Sequence, residues 1–173
     1  MKNLKSKKSD SFQKQLSKFK NLLIGSKTAK FANMGLIAIS ILFIFKSEQN
    51  LMVILSLVGG ISVLVLYMNL FLSLKDIRQK SYTTKSLFAS IVKFKEYMQK
   101  RKRFEMIYIS IWFLSISPFV YLRSGSALET ILEIGIYLTA TALLGMLAFK
   151  NVQKEIRNLE SEVLSNMNPI NNQ

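Results

Sequence analysis

The sequence predicts an all-α membrane protein whose four transmembrane helices form two hairpins. Two observations predict it: apolar residues occur in four long blocks, and the basic residues lie mostly between those blocks. Half of the 173 residues are hydrophobic, yet 24 Lys+Arg against 10 Asp+Glu give a net charge of +14. In a soluble protein this charge would suggest nucleic-acid binding, with the cations spread over the surface of a globule. Here the cations lie between the apolar blocks instead. We therefore expect no nucleic-acid partner.

The apolar blocks cover residues 31–45, 51–74, 106–122 and 127–149. A hydrocarbon core of about 30 Å requires roughly 20 helical residues, which the second and fourth blocks reach unaided. We expect the first span to extend back past Lys30 toward Gly25, and the third to include Phe104 and Glu105. Buried helices of a soluble domain fit four such blocks poorly. A cleaved signal peptide fits the first block poorly, because no small-residue cleavage site follows it.

The distribution of basic residues predicts the orientation. Residues 1–30 hold nine Lys+Arg, residues 75–105 hold ten and residues 150–173 hold three, so 22 of the 24 lie on one side. The positive-inside rule places that side, with both termini, in the cytoplasm. The expected organisation is a basic amphipathic N-terminal segment (1–30), a first hairpin (31–74), a basic linker helix (75–105), a second hairpin (106–149) and a C-terminal helix with a frayed tail (150–173).

An offset of 75 residues relates the two halves of the chain. It aligns Lys18-Phe19-Lys20 with Lys93-Phe94-Lys95 and Gly60 with Gly135, and the boundaries of the predicted elements match without a gap. One interpretation is an internal duplication, with two parallel copies related by an axis along the membrane normal. The other is that any two hairpins under the positive-inside rule look alike. Both stay open.

Three segments outside the spans carry apolar residues at a spacing of four, three and four. The sets are Phe12, Leu16, Phe19 and Leu23; Leu87, Ile91, Phe94 and Met98; and Val152, Ile156, Leu159 and Val163. Each set lines one face of a helix, and hydroxyls of residues 81–84 are expected to cap the middle helix. Such stripes can lie in the membrane interface, or pack together or against a partner. We favour the interface for the first two and helix–helix packing for the charge-balanced third, which is also the candidate stripe for packing against a partner.

Cations of the linker are candidate contacts for anionic lipid headgroups. They are Lys93, Lys95, Lys100, Arg101, Lys102 and Arg103. A Lys or Arg close to an anionic leaflet contributes about 1 kcal/mol of binding. This basic run abuts the third span, so we interpret it as a membrane anchor rather than a nuclear-localisation signal or nucleic-acid patch. The expected partners are the anionic bilayer, a cytoplasmic protein and a second copy of the chain.

Residues that carry chemistry are few. The chain has no His and no Cys, which removes imidazole bases, thiol nucleophiles and the usual zinc, haem and iron–sulfur ligands. The acidic residues are scattered, whereas a carboxylate metal site requires a cluster. We therefore expect no catalytic residues, no metal and no cofactor.

Two carboxylates near the start of the fourth span are the sharpest polar feature. Glu129 and Glu133 lie one turn apart on the same helix face. A carboxylate inside the membrane is a candidate functional site, for example in proton or cation coupling. The alternative is that both lie at the outer interface, with Arg123 across the tip as their partner.

Pro118 and the pair Gly59-Gly60 are candidate hinges within the spans. Pro118 removes the hydrogen bond to the Leu114 carbonyl, and the hydroxyl of Ser115 or Ser117 could satisfy that carbonyl instead. Ordinary packing is the alternative role, because glycine within a span commonly permits a close helix contact.

The stretch 67–112 has an aromatic end to the second span, a turn rich in Ser and Thr, and a long basic helix that runs into the third span. In this layout, which extends over the whole chain, the sequence resembles a family of small four-span bacterial inner-membrane proteins, most without an assigned function. The resemblance implies the bacterial inner membrane, and genes near alternative sigma factors, which suits a tethered regulator. Some members bear a carotenoid-cleavage label. That chemistry uses iron held by several histidines, and this chain has none, so we reject the label here.

We expect an integral inner-membrane protein without enzymatic activity, a scaffold or regulator whose cytoplasmic helices bind a partner or the anionic membrane surface. The alternative is a small transporter or pore that uses Glu133 as an intramembrane carboxylate. A lipid-acting enzyme ranks last, because the chain has neither His nor Cys.

Overall fold

The described part of the chain forms four α-helices. The computed structural model describes residues 2–47, 49–75 and 77–167, with side chains described from Asp10 onward. The helices are α1 (Lys2–Phe45), α2 (Leu51–Phe71), α3 (Thr84–Ser124) and α4 (Ala127–Met167). The end of the polar tail that we predicted to fray lies outside the described residues.

All four helices are long and apolar enough to cross a membrane. The 21 residues of α2 give a length of about 32 Å, which matches the hydrocarbon core. The 44 residues of α1 and the 41 residues each of α3 and α4 give lengths of about 60 Å or more. The prediction of an all-α chain with four helices of membrane-spanning length is confirmed, and three of them outreach the bilayer core by about 30 Å.

Each of the three amphipathic segments is continuous with a span. α1 runs without a break through the boundary that we placed at residue 30, because it contains no proline and its two glycines cost only about 1 kcal/mol each. α3 likewise passes from the linker into the third span, and α4 passes from the fourth span into the C-terminal segment. We call these continuations, residues 10–30, 84–105 and 150–167, the extensions.

Polar side chains and one glycine set the ends of α3. At its start, the Thr83 and Ser86 side chains each accept the other residue's backbone N–H, which confirms that hydroxyls of residues 81–84 cap this helix. At its end, Gly125 has a φ of 68°, a left-handed conformation that glycine adopts without strain. Only Gly125 and Ser126 separate α3 from α4.

Buried apolar side chains form two separate clusters. The span core consists of Val53, Leu57, Leu64, Trp112, Phe113 and Ile116. The extension core consists of Phe19, Leu22, Leu23, Ile77, Leu87, Ile91, Phe94, Met98, Phe149, Ile156, Leu159 and Val163. The division follows the predicted span boundaries, except that Phe149 is the last residue of the fourth apolar block.

The outer surface around the span core is apolar. Leu55, Leu114 and Leu144 are 62%, 67% and 69% exposed, and an 18-residue apolar window of α4 contains no buried residue. Water would disfavour such a surface by roughly 25 cal/mol per Å², whereas lipid chains solvate it. This inverted pattern is typical of a surface that faces hydrocarbon.

Candidate functional site

The three apolar stripes pack against one another in the extension core. Phe19 of α1 makes edge-to-face contacts with Phe94 and Tyr82, at centroid distances of 6.0 and 5.9 Å. Phe94 of α3 and Leu159 of α4 are each 1% exposed. Our preference for an interfacial position of the first two stripes is wrong, because protein rather than lipid covers their apolar faces. The alternative, in which the three stripes pack against one another, agrees with the structure.

The stripe that we assigned to a partner belongs to the same core. Ile156, Leu159 and Val163 are at most 2% exposed, and Val152 packs at the edge of the cluster. The covering surface comes from α1 and α3 of the same chain. A protein partner would therefore contact other residues of the extensions.

Ion pairs at the rim connect α4 with both other extensions. Lys18 Nζ lies 2.6 Å from Glu162 Oε1, and Lys95 Nζ lies 2.7 Å from Glu160 Oε2. Partly exposed pairs of this kind contribute about 1 kcal/mol or less. The apolar core therefore supplies most of the stability, and the ion pairs favour one register of the three helices.

A partly buried ion pair lies near Phe149, where the extension core meets the spans. Arg101 Nε and Nη2 donate to the Glu105 carboxylate at 2.5 and 3.2 Å, and the two side chains are only 11% and 17% exposed. The Tyr67 hydroxyl donates to Glu105 Oε2 at 3.0 Å, and the guanidinium lies 5.3 Å from the centroid of the Phe149 ring. This network connects α2, α3 and α4. Sequence reasoning missed it, although the spacing of Arg101 and Glu105 is that of a helical ion pair.

The candidate lipid contacts fall into three environments. Four of them are exposed: Lys93, Lys100, Lys102 and Arg103. Lys95 is paired with Glu160, and Arg101 is enclosed in its pair with Glu105. Arg101 is thus a packing residue of the boundary rather than an exposed cation, while the lipid-binding role of the exposed four stays a prediction.

At the tip between α3 and α4, Glu133 faces Arg123. Arg123 Nη2 lies 3.4 Å from Glu133 Oε1, with the two side chains 74% and 34% exposed. Glu129 is exposed in the first turn of α4 and lines the same open depression of about 410 Å³. This ion pair is the one expected if Glu129 and Glu133 lie at the outer membrane interface with Arg123 as their partner.

Pro118 lies inside α3, and the helix continues through it. The Ser117 hydroxyl donates to the Leu114 carbonyl at 2.7 Å. This is the acceptor that Pro118 leaves without a backbone N–H, so Ser117 compensates for the proline as predicted. A hinge role for Pro118 stays a prediction.

Gly60 permits a close contact between α2 and α3. A Cβ atom on Gly60 would lie 2.8 Å from Ser115 Cβ and overlap its hydroxyl, whereas a Cβ on Gly59 would meet open space. Beside this contact, the Trp112 indole N–H donates to Ser40 Oγ of α1 at 2.9 Å. The packing role of glycine within spans therefore applies to Gly60 and not to Gly59.

The two halves of the chain are only partly equivalent. With the offset of 75 residues, α2 and α4 begin at positions that correspond to within one residue, but α2 ends at Phe71 and α4 continues to Met167. Gly60 is closely packed, whereas Gly135 has open space beside it. The duplication stays a prediction, and corresponding positions do not have corresponding neighbours.

Among the described side chains, no group of three or more acidic residues could hold a metal ion. Comparison with protein-family models, with curated proteins and with solved structures finds no match. The resemblance to the four-span family therefore stays a prediction from the layout of the sequence.

Proposed function

We propose that this chain is a non-enzymatic scaffold of the bacterial inner membrane, with two transmembrane hairpins and both termini in the cytoplasm. The extensions of α1, α3 and α4 form a helical bundle at the cytoplasmic leaflet, and a regulatory partner binds the outside of that bundle. The observation that carries the proposal is the extension core, a second hydrophobic core separate from the span core.

A chain that only had to cross the membrane would need no such second core. Phe19, Leu87 and Val163 are 0% exposed, and full burial of one such side chain stabilises a fold by about 1.5–3 kcal/mol. The core therefore fixes three helices relative to one another outside the spans. A fixed surface of this kind suits recognition of another molecule. The excess of basic residues supports its cytoplasmic position.

The transporter alternative has less support from the side-chain contacts. Glu133 is paired with Arg123 at the tip. Within the spans, Ser40 and Ser56 donate to backbone carbonyls, and no buried side-chain polar atom in the described ranges lacks a hydrogen-bond partner. A path for ions or polar substrates requires groups that are free to coordinate them.

Capture of a partner in membranes tests the scaffold role. A tagged chain is cross-linked in cells, and captured proteins are identified by mass spectrometry. Leu159→Asp places a carboxylate in the extension core, so we expect it to abolish capture. Leu164→Asp is the matched control, because Leu164 lies on the same helix and is 44% exposed. Absence of a specific partner for the wild type, or capture that survives Leu159→Asp, would contradict the scaffold role.

Flux measurements in proteoliposomes distinguish the alternative. We expect no ion or substrate flux above that of empty vesicles. Flux that Glu133→Gln reduces would replace the scaffold with a transporter.

A further inference from the structure

A groove lined by cations runs beside α1 where this helix passes from its extension into its span. It consists of two adjoining depressions of about 690 and 570 Å³, which share Lys27, Leu74 and Arg78. The opposite wall is the connection between α2 and α3. The groove is thus lined by residues within 20–31, 68–75 and 78–82, which belong to two parts of the sequence far from each other.

The charge of the groove is strongly positive. Its cations are Lys20, Lys27, Lys30, Lys75, Arg78 and Lys80, and no carboxylate from the described residues lines it. Asp76, next to Lys75 in the sequence, lies outside the described residues. Cations gathered in one groove repel each other, so an anion placed among them is favoured.

The walls of the groove change from cationic to apolar toward the spans. Phe31 and Met68 line its lower part together with the neutral polar residues Asn69 and Ser73, and Phe31 is 71% exposed. Because α2 matches the hydrocarbon thickness, its last residue, Phe71, marks one boundary of the membrane core. The groove therefore lies at the level of the lipid headgroups, with its apolar wall on the hydrocarbon side.

We propose that this groove binds one anionic phospholipid. The phosphate lies among Lys27, Lys30 and Arg78, where the arginine fork matches phosphate geometry and the lysines act as point charges. An acyl chain runs along Phe31 and Met68. A soluble phosphate would use the cations but leave the apolar wall exposed, so the lipid is the better match. The assignment to the cytoplasmic leaflet rests on the proposed function, whereas the lipid site itself does not.

Native mass spectrometry of the full chain in a nonionic detergent tests this site. The probes are phosphatidylglycerol, zwitterionic phosphatidylethanolamine and inorganic pyrophosphate. We expect phosphatidylglycerol to bind in preference to the other two. Combined Lys27→Gln, Lys30→Gln and Arg78→Gln should lower its affinity by roughly a hundredfold, since three charges leave the phosphate site and each accounts for about a fivefold change.

A matched triple variant controls for diffuse attraction. Lys85→Gln, Lys154→Gln and Arg157→Gln remove the same charge from exposed positions of α3 and α4 that lie outside the groove, and we expect them to change binding by about twofold or less, because solvent screens exposed charges at a distance. Thermal unfolding followed by far-ultraviolet circular dichroism, together with the resistance of the extensions to trypsin, verifies that both triple variants fold. If the groove variant does not fold, the single variant Arg78→Gln is compared with the single control Arg157→Gln.

Three results would overturn the proposal. Equal losses in the two variants would leave only diffuse charge attraction, equal binding of phosphatidylethanolamine would remove the role of headgroup charge, and displacement of the lipid by pyrophosphate would indicate a site for soluble phosphate. Failure of the proposed function is recognised separately. Labelling of Lys14→Cys, an exposed position outside the groove, from the outer side of the membrane would contradict the orientation and leave the lipid binding measured in detergent unchanged.

Discussion

Gly60 shows how the absence of a single side chain shapes the span core. Its missing Cβ leaves the space that Ser115 occupies, so Gly60→Ala forces two backbones apart. We expect this change to lower the free energy of unfolding by about 1–3 kcal/mol. The measurement is thermal or denaturant unfolding in detergent, followed by the fluorescence of Trp112, the one tryptophan of the sequence.

Gly59→Ala is the internal control for this prediction. Its Cβ would meet open space, so the higher helix propensity of alanine should leave stability unchanged or raise it by up to about 1 kcal/mol. Equal effects of the two substitutions would contradict the close contact at Gly60.

Glu105 illustrates the cost of breaking an ion pair that is mostly shielded from solvent. Glu105→Gln leaves the guanidinium of Arg101 enclosed without its counter-charge, and arginine stays protonated at any physiological pH. We expect a loss of about 3 kcal/mol in the free energy of unfolding. Glu162→Gln breaks the pair with Lys18, whose two side chains are 44% and 42% exposed, and should cost about 1 kcal/mol or less.

Replacement of both charged residues separates the ion pair from simple packing. Arg101→Met combined with Glu105→Leu should recover most of the stability lost in Glu105→Gln, because no uncompensated charge remains. A double variant as unstable as the single one would show that the lost contacts, rather than the unpaired charge, cause the effect.

At the scale of the helices, α1, α3 and α4 each continue without a break from an apolar span into an extension. Each presents an apolar outer surface to hydrocarbon in its span and an apolar inner stripe to its neighbours in its extension. The two cores share no residue, so we expect the extensions to open without unfolding of the spans.

Phe19→Ala tests this independence. Phe19 is 0% exposed, and truncation of a buried Phe costs about 3–5 kcal/mol, so trypsin should cleave the extensions of membrane-embedded chains faster. The fluorescence maximum of Trp112 should not change, because Trp112 belongs to the span core. Ile24→Ala is the control, since Ile24 is 59% exposed. A shift of the Trp112 spectrum with Phe19→Ala would contradict two independent cores.

The sequence was sufficient for those features that depend on local pattern. The length of the apolar blocks predicted the four long apolar helices, and spacing predicted the stripe that contains Leu159. Periodicity identifies a face but not what covers it, so the neighbours of that stripe were assigned wrongly. Arg101 was likewise predicted to contact lipid because it lies in a run of basic residues. The sequence could not show that Tyr67 and Phe149, from two other helices, shield its side chain. The cationic groove escaped notice because Lys27 and Arg78 meet only through tertiary packing.

For the whole molecule, the proposed arrangement brings Ser11, in the first part of α1, beside Asn166, near the last residue of α4. The side-chain amide of Asn166 donates to the hydroxyl of Ser11 at 3.1 Å, and the Lys18–Glu162 pair lies about two turns further along α1. Such contacts require that α1 and α4 emerge on the same side of the membrane. They also require that the extensions pack as one bundle.

A disulfide between the two ends is the most direct measurement of this arrangement, and the chain has no native Cys to interfere. Ser11→Cys and Asn166→Cys are introduced together, and isolated membranes are treated with a mild oxidant. We predict rapid formation of an intramolecular disulfide in most chains, whereas Ser11→Cys with Ser165→Cys should react slowly because Ser165 is exposed away from the core. No disulfide between positions 11 and 166, or equal rates for the two pairs, would contradict a bundle formed by both ends on one side of the membrane.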